Sequence, residues 1–219
     1  MALGKRKGSD FTPIIKYDAR HGLVYLVDRV RAPTGGWQTQ QREITKDFRA
    51  IFDLEKLERG WIYYPSGAPP ELTMVPAGQD PGEQPSPDHK EGIRFYLKLP
   101  AELGGDVREL QSTALAMWDA IDALHTAYLN QVTDHPDELP IVKLVEVIKV
   151  PTGKGQSFTP VFEIIGWAKR PFDLPKSRKK TNGTRKPAKQ ARAADDDFGA
   201  NDLGSDSRVS SDLDDTIPF

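Results

Sequence analysis

A chain of 219 residues is long enough for one sizeable folded domain with residues to spare. Its hydrophobic content of 37% and mean hydropathy of -0.55 fit a folded domain diluted by an unfolded stretch. The absence of cysteine excludes disulfides and thiolate metal sites, and the net charge of -2 averages over a very uneven distribution.

The opening "MALGKRKGSDFTPIIKY" has no apolar run of the signal-peptide kind, and no segment is apolar and long enough to span a membrane, so a cytoplasmic location is expected. "GLVYLVDRVR" is rich in β-branched and aromatic residues and predicts a strand, turned by "APTGG". "WQTQQREITKDFRAIFDL" continues extended, with Phe48, Ala50 and Phe52 alternating onto one face. "EKLERG" predicts a short helical or turn segment before the brief strand "WIYY". Residues 65–92, full of Pro, Gly and acids, predict a long irregular loop, and "IRFYLKL" a further strand.

One amphipathic helix follows. Asp106 with Glu109 three residues on reads as a capping box. Val107, Leu110, Ala114, Met117, Ile121, Leu124 and Tyr128 then fall on one stripe, read as core packing. "PDELP" stops it, and "IVKLVEVIKV" and "SFTPVFEIIGWAK" form a last hairpin around "PTGKGQ". Five or six strands with one helix before the final hairpin predict a mainly β fold. A partly open barrel of the oligonucleotide-binding (OB) type fits, with a β-sandwich as the other solution.

The folded domain is expected to span 1–175. From 176 to 192, "KSRKKTNGTRKPAKQAR" holds eight Lys/Arg and no acid. From 193 to 219 there are eight Asp, no Glu and one Arg. Neither block has apolar periodicity, so both predict a disordered tail, basic and then acidic.

Catalytic and metal chemistry finds no foothold. His21, His89, His125 and His135 lack metal-ligand spacing. "TGKG" lacks the rest of a phosphate loop, since Ile148 stands where its first Gly belongs. No Ser lies in a nucleophile elbow, and no acid pair is held in a general acid/base pattern. No enzyme, cofactor or metal is expected.

Aromatics interleaved with cations on strands are the chemistry that is present. Single-stranded nucleic acid needs both, since bases stack on rings while cations neutralise the backbone. Trp37 opens a strand that is otherwise polar, and is read either as an exposed platform or as core. Trp167 shares an alternation face with Glu163, Ile165 and Lys169, and is read either as a groove edge or as buried. Trp61 is assigned to the core. Alternation sends Phe95 and Tyr96 to opposite faces, so one of them is core, and Tyr63 stays open. The candidate cations are Arg29, Arg31, Arg42, Lys46, Arg49, Lys98, Lys143, Lys149, Lys154 and Lys169, with Lys154 in a Gly-flanked hairpin tip.

The final residues Asp212, Asp214, Asp215, Ile217, Pro218 and Phe219 place a ring and an α-carboxylate behind acids. Such an end can be captured by an apolar pocket with a basic rim. Asp214-Asp215-Thr216-Ile217-Pro218-Phe219 resembles the acidic C-terminal tip of bacterial single-stranded-DNA-binding proteins, with Thr216 where the family has an aspartate. In the body, "DLEKLERGWIYY", "PSPDHKEGIRFYLKLP" and "FTPVFEIIGWAKRP" are similar to phage-type single-stranded-DNA-binding proteins with an elaborated OB-fold. This resemblance implies an aromatic-basic DNA groove, a tail that recruits replication or recombination proteins, often oligomerisation, and a bacterial host cytoplasm.

The expected function is therefore sequence-tolerant binding and protection of single-stranded DNA. Contacts are expected at Trp37, Tyr63, Tyr96, Trp167, Arg29, Arg31, Arg42, Lys98, Lys154 and Lys169. The basic block adds affinity for any polyanion, and the acidic segment competes for the same groove. The alternative is a protein-interaction adaptor that docks on replication machinery by its tip. That reading expects Trp37 and Trp167 both buried and no basic cleft.

Overall fold

A computed structural model describes residues 12–152 and 155–175. The basic and acidic stretches beyond Pro175, including the tip residues Asp212 to Phe219, lie outside the described residues, as does Lys154.

The sequence "IIKYD" forms β1 (Ile14–Asp18), paired antiparallel with β2 (Leu23–Arg31), which turns into β3 (Trp37–Glu43). β4 (Arg49–Phe52) and β5 (Glu58–Tyr63) follow, each entered through a short 3-10 turn, and then β6 (Glu71–Pro76), β7 (Lys90–Lys98) and β8 (Val107–Ser112). The helix α1 (Leu115–Gln131) precedes a long hairpin of β9 (Glu138–Thr152) and β10 (Gly155–Lys169). One sheet runs β10-β9-β4-β7-β8-β1-β2-β3, with β5 paired to both β7 and β6. The fold is mainly β, with one helix ahead of the last hairpin and a sheet that does not close, which makes it an open, OB-like architecture. Among the described residues the strands number ten rather than five or six, because the 37–52 stretch breaks at a turn and further strands form at Ile14–Asp18, Glu71–Pro76 and Val107–Ser112.

The curl of the sheet is what creates an inside. Phe48, Ala50 and Phe52 alternate inward as read, at 1%, 2% and 0% exposure. The ring of Phe52 lies 5.1 Å from Phe95 and 5.8 Å from Phe162. Met117, Ile121, Leu124 and Tyr128 of α1 are buried in the same core. At one end the β1–β2 turn meets the β9–β10 hairpin: the Phe158 N–H donates to Ala19 O at 2.7 Å, and the Tyr17 hydroxyl donates to Phe158 O at 2.8 Å. Gly22, at φ +71, permits this approach, since a Cβ there would stand 2.6 Å from Val147 Cγ1.

Two expectations need correction. The helix begins at Leu115, not at Asp106, and Val107 and Leu110 belong to β8. Asp106 caps nothing; its carboxylate pairs with Arg108 at 3.0 Å, and Arg108, itself only 4% exposed, also holds Asp28 at 2.7 Å. Of these polar residues, Arg108 and Glu109 are buried strand positions with partners, and Asp106 lies just ahead of the strand. The 65–92 segment is not wholly irregular, for β6 pairs with β5 across Glu58↔Pro76 to Tyr63↔Glu71. Gly60 allows that pairing, because a Cβ there would lie 2.0 Å from Thr73 O.

Candidate nucleic-acid interface

β2 and β3 form a two-stranded ribbon in which Arg31 stands opposite Trp37 and Arg29 opposite Thr39. Directly opposed residues share a face, so Trp37, Arg31 and Arg29 are grouped on one side. Every residue of β3 is exposed, and Trp37 is 72% exposed. Arg29 and Arg31 are exposed too. Asp28, the acid just before Arg29 in the sequence, points to the other side and is taken up by Arg108.

Alternation extends this face along the ribbon through Gln41 to Tyr25, which lies opposite Glu43 on one side and Lys16 on the other. At ~3.4 Å per residue, Tyr25 to Arg31 covers roughly 20 Å. Tyr25 is half-buried, and burial followed by the fields of Asp18 and Glu43 pushes its hydroxyl up. It keeps its proton at neutral pH and can donate. Sequence reading missed Tyr25, although its spacing of four from Arg29 and six from Arg31 already put it on their face.

The remaining candidates are dispersed. Arg42 is exposed but on the opposite face, across from Leu26, and its guanidinium donates to Leu103 O at 3.0 Å. Tyr63 is half-buried at the end of β5, its ring 5.4 Å from that of His89. Tyr96 is half-buried opposite Glu109 and hydrogen-bonded to it. Burial first, and the negative field of Glu109 second, raise the Tyr96 hydroxyl above its ordinary range. Burial likewise raises Glu109, against the pull of the Arg94 guanidinium 3.8 Å away. Lys98 is ion-paired with Asp173, and Lys169 is exposed opposite Glu138 at the end of β10. Phe95 is the core member of its pair, at 1% exposure, while Trp61 is only half-buried and donates through Nε1 to Gly82 O at 3.0 Å.

Trp167 does not share a face with Glu163 and Ile165, although Lys169, two residues further on in unbroken register, stays on its side. The pairing of Ile164 with Val142 and of Gly166 with Ile141 leaves Ile165 as an extra residue, and this bulge inverts the alternation. Trp167 turns inward with Phe162 and Ile164, stacked on His135 at 4.2 Å and 6.0 Å from Tyr128. Its ring is occupied.

Among the described residues no three His, Asp or Glu side chains gather where a metal ion could sit, and no helix is long and apolar enough to cross a membrane. The geometry on offer is one exposed ring beside two cations on an open edge. Comparison with protein-family models, curated proteins and solved structures returns no match to this chain, so the reading of this edge rests on its own residues.

Proposed function

We propose that the protein binds and protects single-stranded DNA without sequence preference during replication, recombination and repair, and recruits partner proteins through its acidic C-terminal tip. The observation that carries the reading is Trp37, 72% exposed and grouped with Arg29 and Arg31 on the outer ribbon. An exposed tryptophan has a cost in water unless a partner covers it, and bases stack on such rings for about 1–3 kcal/mol each. Arg29, Arg31 and Lys16 neutralise successive phosphates while Trp37 and Tyr25 take bases. An adaptor that avoids DNA has no use for this display.

Recruitment rests on the sequence of the tip, where Phe219 and its carboxylate follow Asp212, Asp214 and Asp215. Tethered acids also compete with DNA for the ribbon at high effective concentration.

The deciding measurement is titration of labelled poly-pyrimidine single strand and of duplex at two salt concentrations. Preference for the single strand, lost in Trp37→Ala, is expected. Equal affinity for both substrates would reduce the protein to a polyanion binder. Deleting 212–219 is expected to raise DNA affinity and abolish partner capture; unchanged or weaker DNA binding removes the competition from the scheme.

A further inference from the structure

The ribbon ends in a turn that holds its own shape. Ala32, Pro33, Thr34, Gly35 and Gly36 join Arg31 to Trp37. The Gly35 N–H donates to Ala32 O at 3.0 Å, which makes a β-turn with Pro33 at its second position, where the pyrrolidine ring fixes φ in advance. The Ala32 N–H donates to Gly36 O at 3.1 Å and closes the base of the turn. Gly35 and Gly36 stand at φ +83 and +101, a left-handed pair that other residues resist. A Cβ built on either meets nothing within 4 Å, and residues 33–36 are all exposed, so the end of the ribbon projects into open space. Trp37 sits at that end with little ordering left to oppose binding.

Positive charge reaches the ring from one side only. Arg31 stands directly opposite Trp37, and Arg29 and then Lys16, across from Tyr25, lie further inward on the same face. Beyond the ring, residues 32–36 carry no charge. On the reverse face of the tip Val30, 38% exposed, stands opposite Gln38, so no charge lies there either. A phosphate backbone is attracted as far as Trp37 and not past it.

A single strand that ran on past Trp37 would find nothing at the tip to hold it. A strand that becomes double there fits better. The last base pair of a duplex offers two bases as one flat face, already ordered, and the unpaired strand leaves that face toward one side. A ring that projects can reach such a face without the duplex striking the rest of the sheet, and stacking on it is indifferent to sequence.

We infer that Trp37 stacks on the terminal base pair where a single strand enters a duplex, while Arg31, Arg29 and Lys16 follow the unpaired strand away from it. The ligand this edge takes best is then a junction between single strand and duplex. The inference rests on the single-strand reading of the ribbon and adds to it a place for Trp37 at the end of the strand's path.

The test is fluorescence anisotropy with one labelled poly-pyrimidine strand, free or attached through either of its ends to a hairpin-closed duplex, and with the blunt hairpin alone. At least one attachment is expected to bind the full chain about fivefold more tightly than the free strand, the lower bound for one more stacked base, with the blunt hairpin weakest. Trp37→Ala is expected to weaken binding of the free strand and to erase the preference for the junction. A second variant moves the ring: Trp37→Thr with Thr39→Trp keeps one tryptophan on the same exposed face, now opposite Arg29. It is expected to retain the free strand and lose the preference. Equal binding of free and attached strands by the wild type overturns the inference and leaves the single-strand reading standing. A preference that survives moving the ring overturns it as well, since added phosphates alone would then explain the gain. A wild type that does not bind the free strand removes the underlying reading and the inference with it.

Discussion

Two tryptophans sit on edge strands of the same sheet and meet opposite fates. Trp37 on β3 is followed by polar residues, while Trp167 on β10 stands between Ile164-Ile165-Gly166 and Ala168-Lys169 in the sequence. Trp167 is folded inward by a bulge and stacked on His135, while Trp37 faces water across from Arg31. An edge strand becomes a binding edge when nothing packs over it. α1 lies across β10, and β3 contributes no buried residue at all.

Substitutions at the two positions should separate accordingly. Trp167→Ala should produce the largest effect, a loss of about 3 kcal/mol in unfolding free energy measured with urea, the lower end for aromatic truncation because the ring is half-buried. Its DNA affinity, measured where the variant is folded, should hold. Trp37→Ala should reverse the pattern. We expect single-strand affinity to fall by about 1–3 kcal/mol, roughly 5- to 150-fold by fluorescence anisotropy. Its stability should stay within about 0.5 kcal/mol, as for other surface changes. If Trp167→Ala impairs DNA binding as strongly as Trp37→Ala, the contrast between the edges fails.

Arg31→Gln tests the cationic half of the ribbon. Removing one phosphate contact should lower the slope of log affinity against log salt by about 0.7 for single strands. An unchanged slope would place the phosphates elsewhere. The smallest expected effect lies behind the ribbon, at Glu109. Burial raises its carboxyl above the ordinary 4.5, so the folded state holds the proton more tightly than the unfolded state. The stability this contributes is present below pH 4.5 and is lost as pH rises through the raised value. The stability of wild type minus that of Glu109→Gln should therefore shrink from acid to neutral pH. A difference that stays flat, or grows, would contradict this.

Much of the fold was legible because its signal is local. Phe48, Ala50 and Phe52 alternate in the sequence as they do in the core, and Met117 to Tyr128 keep helical spacing. Trp37 was readable for the same reason: Gln38 to Arg42 give it no apolar company. Where signals become non-local, reading stops. The inward turn of Trp167 depends on one unpaired residue, Ile165, which alternation cannot register. The start of α1 was misplaced because Arg108 and Glu109 look like surface helix residues until Asp28 and Arg94 are brought to them by other strands. The 93% exposure of Phe172 gave no warning, since "PFDLP" does not show the clamp of Arg170 on Asp53.

The parallel pair β1–β8, Ile14 with Glu109 and Ile15 with Leu110, sets an order of assembly. β3 reaches the sheet only through β2, and β2 only through β1. The ribbon is translated before β8, yet it has no sheet to hang on until β8 has left the ribosome. Closing so long a loop is slow. A nascent chain cut short before β8 carries Trp37 and both arginines without a frame to hold them in register, so competence at this edge arrives late in synthesis even though its residues come early.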